Sequence, residues 1–231
     1  MRLRGYRNIV VLTGAGISQS AGLPTFRGPG GLWTDPALAA LSSVEALVER
    51  RAEVCAMHWR LREAVRRVEP TLAHRTLAAF EAALPSGTNF LIVTQNVDQL
   101  HQRAGSRNVC DYHGSLARWW CDQCGHESEP ADGDAPPAHC GQLMRPSAVL
   151  FGEMIPPEAE HTAKRALRDC DLFVSVGTSG TVMPAASFVR WAEYSGAHRV
   201  LLNLEIAEEA REMYAEIERG TADELVPRWF A

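Results

Sequence analysis

A histidine between a tyrosine and a glycine, Tyr112-His113-Gly114, follows a run of amide and acid side chains, Gln95, Asn96 and Asp98. Imidazole titrates near neutrality, which suits a general base. Gln95, Asn96 and Asp98 offer donors and acceptors to hydroxyl and amide groups in a closed pocket. Plainer readings stand beside these: a lone histidine is more often structural, and Asn and Asp also favour turns and helix caps. Nearer the start, Gly14-Ala15-Gly16-Ile17-Ser18 directly follows an apolar run. Glycines there let backbone N–H groups approach a diphosphate at a helix start, or simply make a tight strand-to-helix turn. A third glycine at the usual dinucleotide offset is missing, and no Gly-Lys-Ser/Thr follows, which argues against a P-loop. Thr25, Phe26 and Arg27 lie in a glycine-flanked stretch that runs on to Leu32 and Trp33. It reads either as a lid, with Arg27 reaching phosphate or ribose, or as a surface loop with a solvated arginine.

These residues need elements to position them. Apolar runs at 8–12, 89–93, 171–176 and 199–202 each end in small and polar residues. They predict buried parallel strands whose carboxyl ends line one crevice, as open α/β sheets bind ligands there. Helical patterns are predicted over 72–84, 157–169 and 207–220, the last ending at Gly220. Alternating strands and helices define an α/β fold on a parallel sheet. Two segments break the rhythm: 32–70 is helical without adjacent strands, and 116–150 holds clustered cysteines and a loop at 130–137. We therefore expect one domain from 1–31, 71–115 and 151–231, and a smaller inserted one from 32–70 and 116–150.

The chain has 231 residues, 46% hydrophobic and 22% charged, with a formal net charge of -5. That is ordinary globular composition, and a mildly acidic balance gives no reason to expect direct nucleic-acid binding. The first apolar run is too short for a signal-peptide core and lacks a small-residue cleavage site. No stretch approaches the roughly 20 apolar residues that span a bilayer. The expectation is a cytoplasmic protein without a membrane partner. Three of the six cysteines, Cys121, Cys124 and Cys140, cluster in one region, which points to a metal before a disulfide.

The ordered motifs GAGIS, GLPTFRG with GLW, TQNVDQLHQRAG (94–105), YHGS (112–115), FGE (151–153), GTS (177–179), NLE (203–205) and GTA (220–222) resemble the sirtuins over nearly the whole chain. The overall spacing is most similar to the short bacterial members grouped with deacylases of acidic acyl groups. The resemblance implies a Rossmann-like domain and a smaller domain carrying a zinc ribbon and helices, with NAD and acyl-lysine meeting between them. It implies an NAD-dependent protein lysine deacylase that forms O-acyl-ADP-ribose. Mono-ADP-ribosyl transfer, NAD hydrolysis or a non-catalytic NAD-sensing scaffold are the alternatives on the same site.

Within that resemblance His113 is the base that deprotonates a ribose hydroxyl, and Asn96 is the second catalytic residue. Gly14, Ala15, Gly16, Ser18, Thr25, Phe26, Arg27, Trp33, Gln95, Asp98, Gly177, Thr178 and Ser179 would surround the cofactor. Asn203 and Glu205 would hold the adenosine ribose, and Ala222 would lie near the adenine. Val149, Phe151, Gly152 and Glu153 would line the acyl-lysine tunnel, with backbone pairing to an added peptide strand. His101 is given a structural role.

The sequence departs from the family at three places. The third cysteine of the ribbon is absent, so His139 or His126 completes a structural zinc site, or proline-rich packing replaces the metal. Members that remove succinyl or malonyl groups carry a tyrosine and an arginine three apart on a helix. The matching segment here is Met57-His58-Trp59-Arg60, in which Met57 and Arg60 share a helix face; Arg60 could pair with a carboxylate, but Met57 cannot supply the tyrosine hydroxyl. That favours acetyl or longer apolar acyl groups. Lastly, Ser20 and Ala21 stand where a glutamate and a serine are usual.

Overall fold

Strand β1 (Asn8–Thr13) is apolar on both faces because it is covered on both. Ile9 and Val11 enter one core, and Val10 and Leu12 enter the other, as the two-residue period of a strand requires. The computed structural model describes residues 3, 5–26, 30–131, 133 and 135–231, apart from the side chains of Trp33 and Glu209.

Three helices, α1 (Pro36–Ala40), α2 (Val44–Glu49) and α3 (Arg51–Arg66), follow the glycine-rich stretch. Then come α4 (Leu72–Ala83), β2 (Asn89–Thr94), α5 (Leu100–Arg103) and β3 (Val109–Asp111). Five two-residue strands come next: β4 (Trp119–Trp120), β5 (Glu127–Ser128), β6 (Ala138–His139), β7 (Gln142–Leu143) and β8 (Arg145–Pro146). The chain ends with α6 (Pro157–Arg168), β9 (Leu172–Val176), α7 (Phe188–Tyr194), β10 (His198–Asn203), β11 (Glu216–Arg219) and α8 (Ala222–Phe230).

The main sheet has six parallel strands in the order β11-β10-β9-β1-β2-β3. Helices α4 and α8 cover one face through Leu77, Phe80, Val226 and Phe230. Helices α6 and α7 cover the other through Leu167, Phe188 and Val189. Each buried aliphatic or aromatic side chain of this kind contributes about 1.5–3 kcal/mol. The Rossmann-like parallel sheet expected from the sequence is therefore present, with two strands more than the four apolar runs predict.

One of the extra strands corrects the reading of 207–220 as a helix. That segment holds a short 3-10 turn at Glu208–Glu212 and then β11. Its alanines and glutamates favour a helix locally, but Glu216–Arg219 pairs with β10 from Val200↔Glu216 to Asn203↔Arg219. Pairing on a free sheet edge outweighs a propensity of a few tenths of a kcal/mol per residue.

The inserted segments meet in a third core. Ala46, Leu47, Val54, Cys55 and Trp59 from the helices pack with Trp119, Cys121, Met144 and Leu150 from the ribbon. The Trp59 and Trp119 rings meet edge-on at 5.5 Å. Arg51 ties α3 to the ribbon through Asp122 and the Leu143 carbonyl. No helix among the described residues is long and apolar enough to cross a membrane.

Candidate active site

Strand order reverses between β1 and β9, the position at which open α/β sheets leave a crevice outside their carboxyl ends. Gly14, Ala15, Gly16 and Ser18 lie beyond β1, and Gln95, Asn96 and Asp98 beyond β2. Gly177, Thr178 and Ser179 lie beyond β9, and Asn203 and Glu205 beyond β10. All of them line one cleft of about 1100 Å³, with Thr25, Phe26, His113 and Ala222. Arg27 and the Trp33 side chain lie outside the described residues. The two glycine turns touch: a Cβ on Gly16 would stand 2.7 Å from Gly177 Cα, so this contact is open only to glycine.

The cleft floor is a connected polar network. Ser18 Oγ donates to Asp98 at 2.6 Å, and Asn96 Nδ2 donates to Ser18 Oγ and to the Gly14 carbonyl, both at 3.2 Å. Gln95 Nε2 donates to Thr178 Oγ1 at 2.8 Å, and Asn203 Nδ2 to the Thr178 carbonyl at 2.9 Å. Burial raises the Asp98 carboxyl above the ordinary range, against the hydrogen bonds from Ser18 and the Leu100 amide. One acceptor is left over: Asn96 Oδ1 is buried and has no partner. Such an orphan costs about 1–3 kcal/mol unless a ligand donor meets it, and a ribose hydroxyl or a carboxamide N–H is such a donor.

Tyr112 is buried, and its hydroxyl bonds Glu160. The next residue, His113, places Nδ1 at 3.1 Å from the Gln95 carbonyl. A carbonyl only accepts, so Nδ1 carries the proton and Nε2 remains an acceptor, the tautomer a general base needs. Burial lowers the His113 pKa, partly offset by the Gln95 bond, which keeps the ring neutral at neutral pH. Gly114 has φ +76, and a Cβ there would overlap the Ser147 carbonyl oxygen at 1.9 Å; a glycine is required for the chain to turn past the histidine. His101 is buried and bonds Thr13 Oγ1 at 2.9 Å, below the glycine turn.

Val149, Phe151, Gly152 and Glu153 line the opposite side of the cleft. Val149 N–H donates to the His113 carbonyl at 2.9 Å. Glu153 faces its own scaffold: it takes a bidentate bond from Arg145 and one from the Leu150 amide. Phe151 bridges to Ser43, its N–H on the Ser42 carbonyl and its carbonyl on the Val44 N–H. Met57 lines the cleft, whereas Arg60 lies exposed in a separate recess. Beside Met57, the structure brings His58 and Leu61 to the cleft, a pair with the same spacing one residue on from the pair read in the sequence. The phase of α3 is set by the packing of Val54, Cys55 and Trp59 into the third core. Ser20, at the last of the three departures from the family, donates to Asp223 at 2.7 Å and anchors the turn to α8.

In the ribbon, Cys121, Cys124, His139 and Cys140 bring their donor atoms within 4.8 Å of one another. His139 Nδ1 lies 3.4 Å from Cys124 Sγ and 3.2 Å from Cys140 Sγ. Three sulfurs and one imidazole nitrogen fit a tetrahedral structural zinc site. His126 stacks on His139 with ring centroids 4.3 Å apart, and the cluster itself holds His139.

A doubly wound parallel sheet with a ribbon-and-helix insertion over its switch point defines the class, and the chain belongs to the Sir2 family, which its residues 14–184 match. It is 42% identical over 230 residues to the NAD-dependent protein deacylase of Pasteurella multocida, covering 96% of each chain. It is 43% identical over 209 residues to that of Thermus thermophilus, covering 88% of this chain and 82% of that one. Among solved structures, a mutant Sir2 homologue–ADP-ribose complex is similar with a TM-score of 0.90 and 33% identity, over 98% of this chain and 92% of that one. A Sir2 homologue–NAD complex gives 0.87 and 35%, over 97% and 88%.

Proposed function

We propose that this chain is an NAD-dependent protein lysine deacylase with His113 as its general base. The observation that carries the reading is His113 Nε2, held as an acceptor in the same cleft as the unpartnered Asn96 Oδ1. Bound there, NAD would supply a ribose whose anomeric carbon exchanges its bond to nicotinamide for one to the acyl oxygen, and which would carry off the acyl group as the lysine amine is released. Asn96 Oδ1 takes a donor from the ribose or carboxamide, and Asp98 and Ser18 keep that side chain oriented. His113 Nε2 takes a proton from a ribose hydroxyl while Nδ1–H stays on Gln95, a role worth about 10²–10⁴ in rate. The two glycine turns admit the phosphates beside Thr25 and Phe26, and Asn203, Glu205 and Ala222 hold the adenosine end. Acyl-lysine enters beside Val149, Phe151 and Gly152, with Glu153 bracing that turn.

Residues 32–70 and 116–150 act as the smaller domain, and Cys121, Cys124, His139 and Cys140 hold a structural zinc ion in it. The relatives' name, NAD-dependent protein deacylase, and a Sir2 complex with a deacetylated p53 peptide and acetyl-ADP-ribose support the same chemistry. The test is mass spectrometry of the products from an acetyl-lysine peptide and NAD. Nicotinamide, free lysine peptide and O-acetyl-ADP-ribose are expected. Free or protein-bound ADP-ribose would replace this reading with NAD hydrolysis or ADP-ribosyl transfer, and binding without turnover would leave a sensing scaffold.

A further inference from the structure

Strand β3 is three residues long and lies at the edge of the main sheet, with β2 as its neighbour. The turn that carries His113 leaves its end, and Gly114 N–H closes that turn on the Asp111 carbonyl at 3.0 Å. Backbone bonds hold the turn on the β2 side: Tyr112 N–H on the Thr94 carbonyl at 2.9 Å and Leu116 N–H on the Val97 carbonyl at 3.0 Å. An edge strand has no second ladder to steady its end, so side chains must do so.

The Asp111 side chain supplies a clamp. Its two oxygens accept from Gln99 Nε2 at 2.7 Å and from Gln102 Nε2 at 2.8 Å. Burial raises its pKa, and the two amides hold it down. Hydrogen bonds to a carboxylate are roughly twice as strong as neutral ones. The clamp therefore outweighs the 3.1 Å bond from His113 to the Gln95 carbonyl in deciding where the turn lies. Gln99 itself holds a left-handed backbone, φ 59 and ψ 16, which suits glycine and strains other residues. Such a residue persists where its surroundings fix it. Before it, Asp98 bonds Ser18 and the Leu100 amide; after it, Arg103 N–H donates to the Gln99 carbonyl at 3.0 Å as α5 begins. The strained glutamine thus links the carboxylate of the cleft floor to the carboxylate at the root of the His113 turn.

We propose, building on the deacylase reading, that Asp111, gripped by Gln99 and Gln102, is a positioning residue for the general base: it fixes the turn so that His113 keeps Nδ1 on Gln95 and offers Nε2 to the ribose. The clamp acts on rate and not on cofactor binding, because Ser18, Asn96 and Asp98 are tied to the glycine turn by bonds of their own. The backbone bonds of Tyr112 and Leu116 do not depend on it, so the fold survives its loss. A misplacement of about 1 Å at a reacting group can cost about 10²-fold in rate.

Variants of the full chain test this through kcat on an acetyl-lysine peptide, NAD affinity by calorimetry, thermal melts and NMR of the His113 ring nitrogens. Gln99→Glu sets two carboxylates against each other and should lower kcat at least tenfold with NAD affinity within twofold. Adding Asp111→Asn lets the new amide donate to the new carboxylate and should return kcat to within threefold of the parent chain. Gln99→Gly suits the left-handed backbone but removes the amide; Tm should hold while kcat drops at least threefold, and this variant decides if Gln99→Glu does not fold. His113 should show the Nδ1–H tautomer in the parent chain and the double variant, and a mixture in Gln99→Glu. Unchanged kcat in both single variants, no recovery in the double variant, or a kcat loss that merely tracks Tm would each overturn the proposal. If the parent chain binds NAD and peptide without turnover, the deacylase reading fails, and the His113 tautomers still decide whether the clamp sets the ring.

Discussion

At the carboxyl edge of the sheet, Ser18, Asn96 and Asp98 are buried and bonded to one another. In the ribbon, Cys124 and Cys140 are exposed, in turns between strands only two residues long. The first region is positioned by strands that pair over five or six residues and by helices packed on both faces. The second rests on short strands with little apolar area of their own, so an ion bound by its four donors would become part of the fold. A site on the sheet thus separates chemistry from stability, whereas a ribbon that holds an ion would merge them.

The sharpest attempt to break that contrast is His113→Ala. We expect kcat to fall about 10²–10⁴-fold, with NAD affinity and the unfolding midpoint nearly unchanged, because Nδ1 makes one hydrogen bond and the ring packs at the cleft edge. Isothermal calorimetry and thermal melts check both halves. A large loss of stability would show that the sheet edge is no freer of structural duty than the ribbon.

Zinc removal probes the other side. Elemental analysis should give one zinc per chain, and a chelator or Cys124→Ser should lower Tm by about 10 °C, on the order of 4 kcal/mol. His139→Ala should act in the same direction, and His126→Ala much less. A chain that melts unchanged after chelation would mean that packing alone holds the ribbon.

Acid tests the buried base of the sheet edge. His74 and His101 touch at 4.6 Å beneath the glycine turn. Burial brings His74 down to about 4 and His101 well below its ordinary value. The unfolded chain takes up these protons near pH 6.5 and the folded chain does not. Stability is therefore full above about pH 6.5 and declines as pH falls toward 4, by about 3 kcal/mol for His74. Urea midpoints across that range measure it, and His74→Gln should flatten the slope. Turnover should keep an acid limb below pH 6.5, because His113 is lowered by burial. The smallest effect is expected from Arg60→Ala, less than twofold on acetyl turnover, since Arg60 lies outside the cleft.

The apolar runs at 8–12, 89–93, 171–176 and 199–202 were legible because a strand buried on both faces must be apolar throughout. The strand ends were legible for a related reason: small and polar residues directly after such a run have few structural uses. Val109–Asp111 is too short to show a period, and Glu216–Arg219 sits in a segment of helix-forming residues. The glycines of the two turns were visible as motif letters, but the contact between Gly16 and Gly177 was not, because 160 residues of chain separate them.

The sequence alone determined the fold class, the family and the chemical types gathered at the cleft, since periodicity, glycine placement and ordered motifs are local properties. Only the tertiary structure decided which histidine joins the three cysteines, which face of α3 meets the cleft, and that Arg60 stands apart from it. Those are matters of phase and distance. A rotation of one residue, 100° on a helix, exchanges an arginine for a leucine without altering any spacing that the sequence displays.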